Sequence, residues 1–531
     1  MPAGDATQRQ RGRQVGLRQM RRGCVWLACF GIAIWAAQSS ALAQAVGPYV
    51  PPDVGGPAEP PQENEAPPPQ GKGWIFVPSV GLSEIITDNV LQATSPRQAD
   101  LITIINPGLL ITGDTARVKA NFNFQPQFQR YLKTTDQDYL AFNLNGSGEA
   151  AVVQDLLFFD AAASSSQSNI NGNLGYTNPN LIPGSQRTQV FTTNLGPVLR
   201  TDIGTLFHTE ALYQFSATHF NNNTTVPGTT GLSNTTQNEG RVSLGTGEDF
   251  GQLNSNLVLD ALKSSGGGIN SSSTDKRIEL DNEYAITHSI FILGQFGYED
   301  QTFPGSTASD IRGAIAQGGA RYTPNPDTSV SLLYGLRQGT TSFDGNLRFA
   351  VTQATSVFIT YNESVETTQQ LIQQNLGTGG TSTGAGGPPV PVVNPNFPLQ
   401  NNVFRFNTLQ AGVTSAVGRN TFTLTAYRER QTSLAGVTSS NGTSTGGSFQ
   451  WTREMGPRTT GSLFAGYSSN IGSGGGTGNV SAIINYVFTD TLHGSIRYDF
   501  IDGNNGTTFN NGTTGGRYTQ NALTLSLVKT F

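Results

Sequence analysis

The sequence predicts an all-β protein: a transmembrane antiparallel outer-membrane β-barrel of about 22 strands, within a range of roughly 18 to 24. Three observations predict this fold. The N terminus resembles a secretory signal, apolar residues recur with period two through the body of the chain, and the last residues form a strand that ends in phenylalanine.

The N terminus has the parts of a signal peptide. Arginines precede an apolar run at residues 23–37, and Ala41 and Ala43 form a cleavage site of the A-x-A type. We therefore predict a signal peptide over residues 1–43, cleaved between Ala43 and Gln44. The apolar run is too short to favour a spanning helix. Both cysteines lie within this peptide, so the mature chain has no thiol for a disulfide or a metal site.

A Pro-rich segment follows at residues 44–73. Nine prolines lie between residues 47 and 70, with several acidic residues and almost no large apolar ones. This composition predicts a disordered periplasmic linker, with the barrel over residues 74–531. The mature chain has 25 Lys and Arg against 35 Asp and Glu. That balance argues against nucleic acid as a partner, because phosphate binding needs a basic surface.

Two segments show the clearest strand pattern. In residues 118–129 apolar side chains alternate with amides and one lysine, and in residues 276–286 they alternate with charges. Strands that face lipid on one side and water on the other have this pattern. A dry core could not hold unpaired ions, so the interior is predicted to be wet. The predicted lumen-facing residues are Lys119, Asn121, Asn123, Gln125, Gln127 and Gln129, and Arg277, Glu279, Asp281 and Glu283.

Connection lengths give an independent indication, because outer-membrane barrels have short periplasmic turns and longer outer loops. Short turns are predicted near Gly113, Gln154, Asp202, Asp249, Thr287, Asn325, Gln353, Gly418, Pro457 and Asp490. Longer connections are predicted at residues 168–186, 221–237, 264–274, 367–401, 433–445 and 502–516. A β-solenoid or adhesin would instead repeat at a fixed short period, which the sequence lacks.

The closing strand predicts an assembly signal. Leu523, Leu525, Leu527 and the terminal Phe531 share one face. Bacterial outer-membrane barrels typically end in this way. The expected location is therefore the Gram-negative outer membrane, and the expected partners are outer-membrane lipid and the barrel-assembly machinery.

The first predicted strands resemble the opening of the β-barrel porin 2 family, over about forty residues. The residues concerned are Pro78, Ser79, Val80, Gly81, Leu82, Ser83, Glu84, Thr87, Asp88, Asn89, Val90, Asp100, Asn106, Pro107, Gly108, Leu109 and Arg117. Related barrels in that group are associated with exopolysaccharide export loci. The resemblance thus implies an outer-membrane porin-like barrel with such an association.

Residues for catalysis or metal binding are sparse. The histidines are His208, His219, His288 and His493, with no His-x-x-x-His pair and no Glu at ligand spacing. Glycine runs such as that at residues 266–268 lack the lysine and helix of a phosphate loop. We predict no metal, no cofactor and no enzymatic activity.

The predicted function is a porin-like channel for hydrophilic solutes, with polysaccharide as a candidate solute. Alternating amides suit sugar hydroxyls, although the same amides satisfy any aqueous wall. One alternative is a non-conducting structural or assembly barrel whose linker recruits periplasmic partners. A further alternative, an outer-membrane lipase or protease, requires activity that depends on His219 or His493.

A barrel of this size would leak unless something narrowed it. The connection at residues 367–401 is the predicted constriction, with a helix at 369–376 and a stiff segment at 388–398. Only the Pro-rich linker precedes the first strand, so no plug of transporter size is expected. That expectation argues against the plugged metal-chelate importers.

Overall fold

The computed structural model describes most of the chain from Gly73 to Phe531. The predicted signal peptide, its Ala43–Gln44 cleavage site and the linker up to residue 72 lie outside the described residues, so those assignments remain predictions. The described residues are 73–170, 178–221, 232–266, 272–304, 310–367, 369–372, 381–382, 390–391, 402–434, 441–471, 475–504 and 516–531.

The described chain forms one closed antiparallel sheet of 22 strands, which confirms the predicted fold class and strand number. Each strand pairs with the next along the chain, and the last pairs with the first. The strands are β1 Gly73–Thr87, β2 Asp100–Asp114, β3 Val118–Tyr131, β4 Tyr139–Val153, β5 Leu157–Asn169, β6 Arg187–Ile203, β7 Phe207–Asn221, β8 Thr235–Thr246, β9 Leu253–Gly266, β10 Ser273–Ala285, β11 Ile290–Thr302, β12 Ile311–Asn325, β13 Thr328–Arg337, β14 Thr340–Thr352, β15 Thr355–Thr367, β18 Val403–Val417, β19 Asn420–Ser433, β20 Gly442–Gly456, β21 Thr459–Ile471, β22 Gly476–Thr489, β23 Leu492–Asn504 and β24 Arg517–Thr530. A separate short pair is formed by β16 Thr381–Ser382 and β17 Val390–Pro391.

Closure joins the two ends of the sheet. β24 pairs with β1 from Ser79 opposite Thr530 to Thr87 opposite Ala522. The amide of Phe531 adds one more bond, to the carbonyl of Pro78 at 2.9 Å. Residues 73–77 of β1 extend beyond this seam, and among the described residues they pair with β2 alone. Within the described part of the barrel, they form an open strand edge at the periplasmic rim.

The connections follow the predicted alternation with one exception. Short turns lie at one rim, at or near all the predicted positions, and most longer connections lie at the other. β13 and β14, however, meet at the outer rim in a two-residue turn, Gln338 and Gly339. Both have positive φ, 50° and 69°, as a type I′ hairpin turn requires. The barrel wall is consequently lower at this hairpin than on either side.

The outward face is apolar. In β1, for example, Trp74, Phe76, Val80, Leu82 and Ile86 are 47 to 58% exposed and alternate with inward residues. Such exposure is stable only in contact with lipid. Most of the buried polar side chains lie on the opposite face, here called the inner face. The chain therefore has the two-sided sheet of a transmembrane barrel.

In the residues that the structure describes, helical structure is confined to short turns. Residues 369–372 form one helical turn after β15. Among the described residues, no helix combines the length and apolar character needed to cross a bilayer. The remaining turns are of the 3-10 type, at Thr135–Gln137, Pro179–Leu181, Gly184–Gln186 and Glu248–Phe250.

Candidate functional site

A ladder of arginines and carboxylates crosses the inner face of β8 to β13. Arg337, the last residue of β13, reaches past two strands to Glu279 on β10, with nitrogen–oxygen distances of 3.1 and 3.3 Å. Its guanidinium also donates to Gln295 of β11 at 3.2 Å and to Gln317 of β12 at 3.5 Å. The Glu279 side chain is 5% exposed. A carboxylate so enclosed is costly without a partner, and Arg337 supplies one.

The charged residues predicted on β10 share this inner face. Arg277 lies 3.4 Å from Glu279, and Glu283 pairs with Arg321 of β12. Asp281 lies between the two carboxylates, in register with polar residues of both neighbouring strands. The alternation in β10 by itself predicts ions without partners. The structure corrects this, because β12 and β13 bring arginines to them that sequence spacing does not reveal.

A second charged cluster, the Arg200 cluster, lies in the periplasmic half of the barrel. Arg200 of β6 donates to Glu149 of β4 at 2.6 Å and to Glu210 of β7 at 3.2 Å, and it lies 3.9 Å from Asp160 of β5. These side chains are 42, 37, 34 and 45% exposed, respectively. One arginine therefore holds three carboxylates together while all four groups keep contact with water.

The amide-rich strand β3 links this cluster to the outer end. Lys119 and Asn121 line, with the Arg200 cluster, a cavity of about 810 Å³. Gln129, near the other end of β3, is 1% exposed; it donates to Asn180 at 2.9 Å and accepts from Arg187 at 3.2 Å. The same face carries Asn123, Gln125 and Gln127 between these ends.

The outer ends of β15 and β18, here called their tops, bend into the outer mouth of the barrel. β15 separates from β14 beyond the Tyr361–Gly345 pair but stays paired with β18 to its end. At these tops Val365 and Val403, 4 and 0% exposed, pack against Phe303 from the β11–β12 connection. The tops thus fold past the low β13–β14 hairpin and into the mouth.

The top of β5 also bends into the mouth, on the opposite side of the barrel. Its ladder with β4 ends at the Ser165–Leu144 pair, whereas its ladder with β6 continues to Asn169. Gln189 of β6 closes the resulting gap. Its carboxamide accepts from the Phe142 amide at 3.2 Å and donates to the Phe142 carbonyl at 2.7 Å. A side chain here replaces the missing strand partner of β4.

The helical turn after β15 crosses between these two tops. Ile372, 2% exposed, packs against Val190 and Phe220 on the inner face of β6 and β7. Gln370 donates to the hydroxyl of Ser273 on β10 at 3.3 Å. β17, from the same connection, lies against β5. Because β5 to β10 are several strands away from β15, this connection spans the mouth.

Among the residues that the structure describes, no group of three or more His, Cys, Asp or Glu side chains is placed to hold a metal ion. His208 pairs with Asp202 at 2.6 Å beside an exposed periplasmic turn. The ring of His219 lies against Phe191 with centroids 6.5 Å apart. These two histidines therefore make contacts of the kind found in strand packing.

Sequence reasoning missed several important residues. Arg337 and Arg200, which organise the two charged clusters, were not singled out, and neither was Gln189. A partial signal existed for Arg337. Val330, Leu332 and Leu336 occupy alternate, outward positions of β13, so Arg337 falls on the inward face. The Gln338 and Gly339 that follow suit a tight turn. Its partners on β10 could not be read from that pattern.

The closed sheet, its apolar outer face and its charged inner face define an outer-membrane β-barrel. No protein-family model and no curated protein matches the sequence. The resemblance to the β-barrel porin 2 family therefore stays a prediction.

Several solved outer-membrane proteins have a similar chain path. The siderophore receptor PirA from Acinetobacter baumannii is 7% identical, with a TM-score of 0.48 over 86% of this chain and 80% of its own. The ferric-catecholate import receptor Fiu from E. coli is 10% identical, with a TM-score of 0.49 over 85% and 81%. The FrpB iron transporter from Neisseria meningitidis is 10% identical, with a TM-score of 0.49 over 87% and 83%.

Proposed function

We propose that this barrel is a channel for hydrophilic solutes whose outer mouth is narrowed by its own strand tops. The observation that carries the proposal is the exposure of the Arg200 cluster. Four charged side chains inside the sheet keep between 34 and 45% exposure. Ions in a dry core would be enclosed, because desolvation is costly without full pairing. Hydrated ions on the inner face support a water-filled path.

The inner-face residues favour an uncharged, hydrogen-bonding solute. Lys119, Asn121, Asn123, Gln125, Gln127 and Gln129 on one side, and Arg277, Glu279, Asp281 and Glu283 on the other, form the proposed wall of the path. The amides of β3 can donate and accept, as sugar hydroxyls require. Together with the resemblance to barrels of exopolysaccharide loci, they favour a carbohydrate, and we propose an association with exopolysaccharide export.

The proposed constriction is the connection at residues 367–401. Its described parts support the proposal, since Ile372 and β17 contact strands on the far side of the mouth. Residues 369–372 are helical as predicted, while 373–376 and most of the predicted stiff segment lie outside the described residues.

Single-channel conductance of the mature chain, from Gln44 onward, tests the proposal. Neutral oligosaccharides added to either side of a planar bilayer should block the conductance steps. Deleting residues 377–395 should enlarge the steps, and a deletion within the connection at 505–515 serves as the control. A folded barrel that never conducts, even with residues 377–395 removed, would contradict the channel.

One observation favours the second candidate, a non-conducting barrel that recruits periplasmic partners. Among the described residues, no strand pairs with residues 73–77 on the β24 side. Open edges accept an added strand, and natural sheets usually protect them. Electrical silence combined with cross-linking from this edge to a periplasmic protein would favour that function. We propose no enzymatic role for either candidate.

A further inference from the structure

The outer rim of the barrel carries several outward-facing arginines, most of which are paired. Arg130 on β3 pairs with Asp138. Arg312 on β12 lies 2.9 Å from Asp300 and 3.3 Å from Asp310. Arg517 and Asp502, on the adjacent strands β24 and β23, pair at 2.5 Å. A local carboxylate therefore neutralises each of these cations, and none of them has charge to spare for a ligand.

The arginines of β18 and β19 differ. Arg428 and Arg430 are exposed, and neither forms an ion pair within the described residues. Arg405 of β18 lies instead at the mouth, where it donates to the Thr340 hydroxyl at 2.7 Å and to the Gln338 carbonyl at 3.0 Å in the β13–β14 turn. Arg428 and Arg430 form what we call the rim arginine patch.

Strand register places this patch on the lipid side. Arg428 is opposite Leu409, which is 41% exposed on the outer face, and paired residues of antiparallel strands share a face. Arg430 is opposite Asn407 and lies two residues beyond Arg428 on the same face of β19. The two arginines are therefore neighbours on one face of one strand.

The surrounding sequence offers them no counter-charge. From residue 367 to residue 489 the only acidic residues are Glu429 and Glu454, against six arginines. Glu429 is buried on the opposite face of β19, and Glu454 lies at the periplasmic end of β20. The nearest outward carboxylate is Glu363 on β15, which is separated from Arg430 by β18. Glu363 accepts a hydrogen bond from the Tyr361 hydroxyl at 2.8 Å. The excess positive charge is thus built into this arc of the barrel.

The height of the patch in the membrane indicates what surrounds it. Phe422 of β19 stacks on Trp451 near the periplasmic ends of their strands, at the level expected for an aromatic girdle. Arg428 and Arg430 lie six and eight residues further along β19. With a rise of about 3.3 Å per residue and a tilt near 40°, they lie roughly 15 to 20 Å above Phe422. The apolar band is about 25 Å tall, so side chains that extend upward reach the outer headgroup layer.

We propose that the rim arginine patch binds the phosphate groups of a phosphorylated glycolipid in the outer leaflet. Guanidinium groups match phosphate oxygens in bidentate geometry and are only weakly hydrated. A lipid phosphate supplies the missing counter-charge at the right depth, while its acyl chains contact the apolar face below. The proposal does not depend on whether the barrel conducts.

Lipid binding by the full chain in detergent micelles tests the proposal. The probe is bisphosphorylated lipid A, compared with the same lipid after dephosphorylation. The wild type should bind the phosphorylated form more tightly, and added salt should weaken that binding. Arg428→Gln with Arg430→Gln should lose about thirtyfold in affinity for the phosphorylated form, with no change for the dephosphorylated one.

Matched variants isolate the patch from general charge. Arg312→Gln removes an outward rim arginine that is already paired, so its lipid affinity should stay at the wild-type value. Arg428→Lys with Arg430→Lys keeps the charge without the bidentate geometry and should give an intermediate affinity. If the glutamine double variant fails to fold, the lysine double variant and the salt series still test whether the patch binds lipid phosphate.

Three results would overturn the proposal. The wild type could bind both lipids equally, Arg312→Gln could lose as much affinity as the patch variant, or excess inorganic phosphate could displace the lipid completely. The last result would identify a site for free anions instead of a lipid headgroup.

Discussion

The carboxamide of Gln189 on β6 forms hydrogen bonds to both backbone groups of Phe142 on β4, although β5 lies between these strands in the sheet. It donates in addition to the hydroxyl of Ser165 at 2.7 Å, and it is 1% exposed. The top of β5 can fold inward only if the freed edge of β4 is satisfied, and Gln189 satisfies it. One side chain thus permits the bend that narrows this side of the mouth.

Gln189→Ala should destabilise this region and loosen the mouth. The substitution leaves two enclosed backbone groups without partners, which we expect to lower the free energy of unfolding by about 3 kcal/mol. Urea unfolding in lipid vesicles measures the change. Gln125→Ala, an amide deletion on the inner face of β3, is the control and should cost under about 1 kcal/mol. Equal losses of stability in the two variants would mean that the hydrogen bonds from Gln189 to the Phe142 backbone add no more stability than an ordinary amide of the inner face.

Arg337→Ala should make the channel more selective for cations. The substitution removes one positive charge from a wall where carboxylates outnumber arginines, and it leaves Glu279 with Arg277 as its remaining contact at 3.4 Å. The reversal potential across a salt gradient measures the shift. Arg337→Lys should stay near the wild-type value, and Glu279→Gln should shift selectivity toward anions. A reversal potential unchanged in all three variants would place the ladder outside the ion path.

Arg200→Gln should cost stability in a salt-dependent way. Without the guanidinium, the carboxylates Glu149, Asp160 and Glu210 repel one another. We expect a loss of about 1 kcal/mol at low ionic strength, since these groups are hydrated. Added salt screens the repulsion, so the variant should approach the wild type at high ionic strength. Thermal unfolding across a salt series is the measurement, and adding Glu149→Gln should restore part of the loss. A deficit independent of salt would instead indicate lost packing.

Ionised Asp138 should stabilise the outer end of the β3–β4 hairpin, and this stabilisation should be lost at low pH. The amide of Tyr131 donates to this carboxylate at 2.8 Å and Arg130 pairs with it, so the pKa of Asp138 lies below its ordinary value. Its stabilising contribution is therefore complete above the unfolded pKa, near 4, and is lost as pH falls through the lower folded pKa. Hydrogen exchange of the Tyr131 amide, corrected for intrinsic rate, should show this loss. Asp138→Asn should abolish the pH dependence; a dependence that persists would assign it to another group.

Phe531 should matter for assembly more than for the finished barrel. Its side chain is 70% exposed, on the same outer face as Leu523, Leu525 and Leu527. Deleting Phe531 removes one closing bond and the predicted assembly signal. We expect several-fold less folded barrel in the outer membrane, scored by heat-modifiable migration on gels. Thr530→Ala keeps the terminus and should assemble normally. Normal assembly of both variants would rule out the signal.

Local patterns in the amino-acid sequence specify the barrel. Alternation such as that in residues 118–129 specifies which side of a strand meets lipid, and short turns with longer connections specify the up-and-down order. These are local signals, because side-chain direction follows the chain with period two. They gave the fold class, the strand number and the position of the turns.

The shape of the mouth and the charge pairing depend on the three-dimensional arrangement of the strands. Arg337 meets Glu279 because the Glu279–Gly297 and Gly297–Ile315 pairs lead to the end of β13. Ile372 meets Val190 because two strand tops bend inward across the barrel. Such contacts join residues far apart in sequence and depend on the tilt and register of every strand between them. No local pattern records that geometry, so the sequence specified the wall and the fold alone brought its distant parts together.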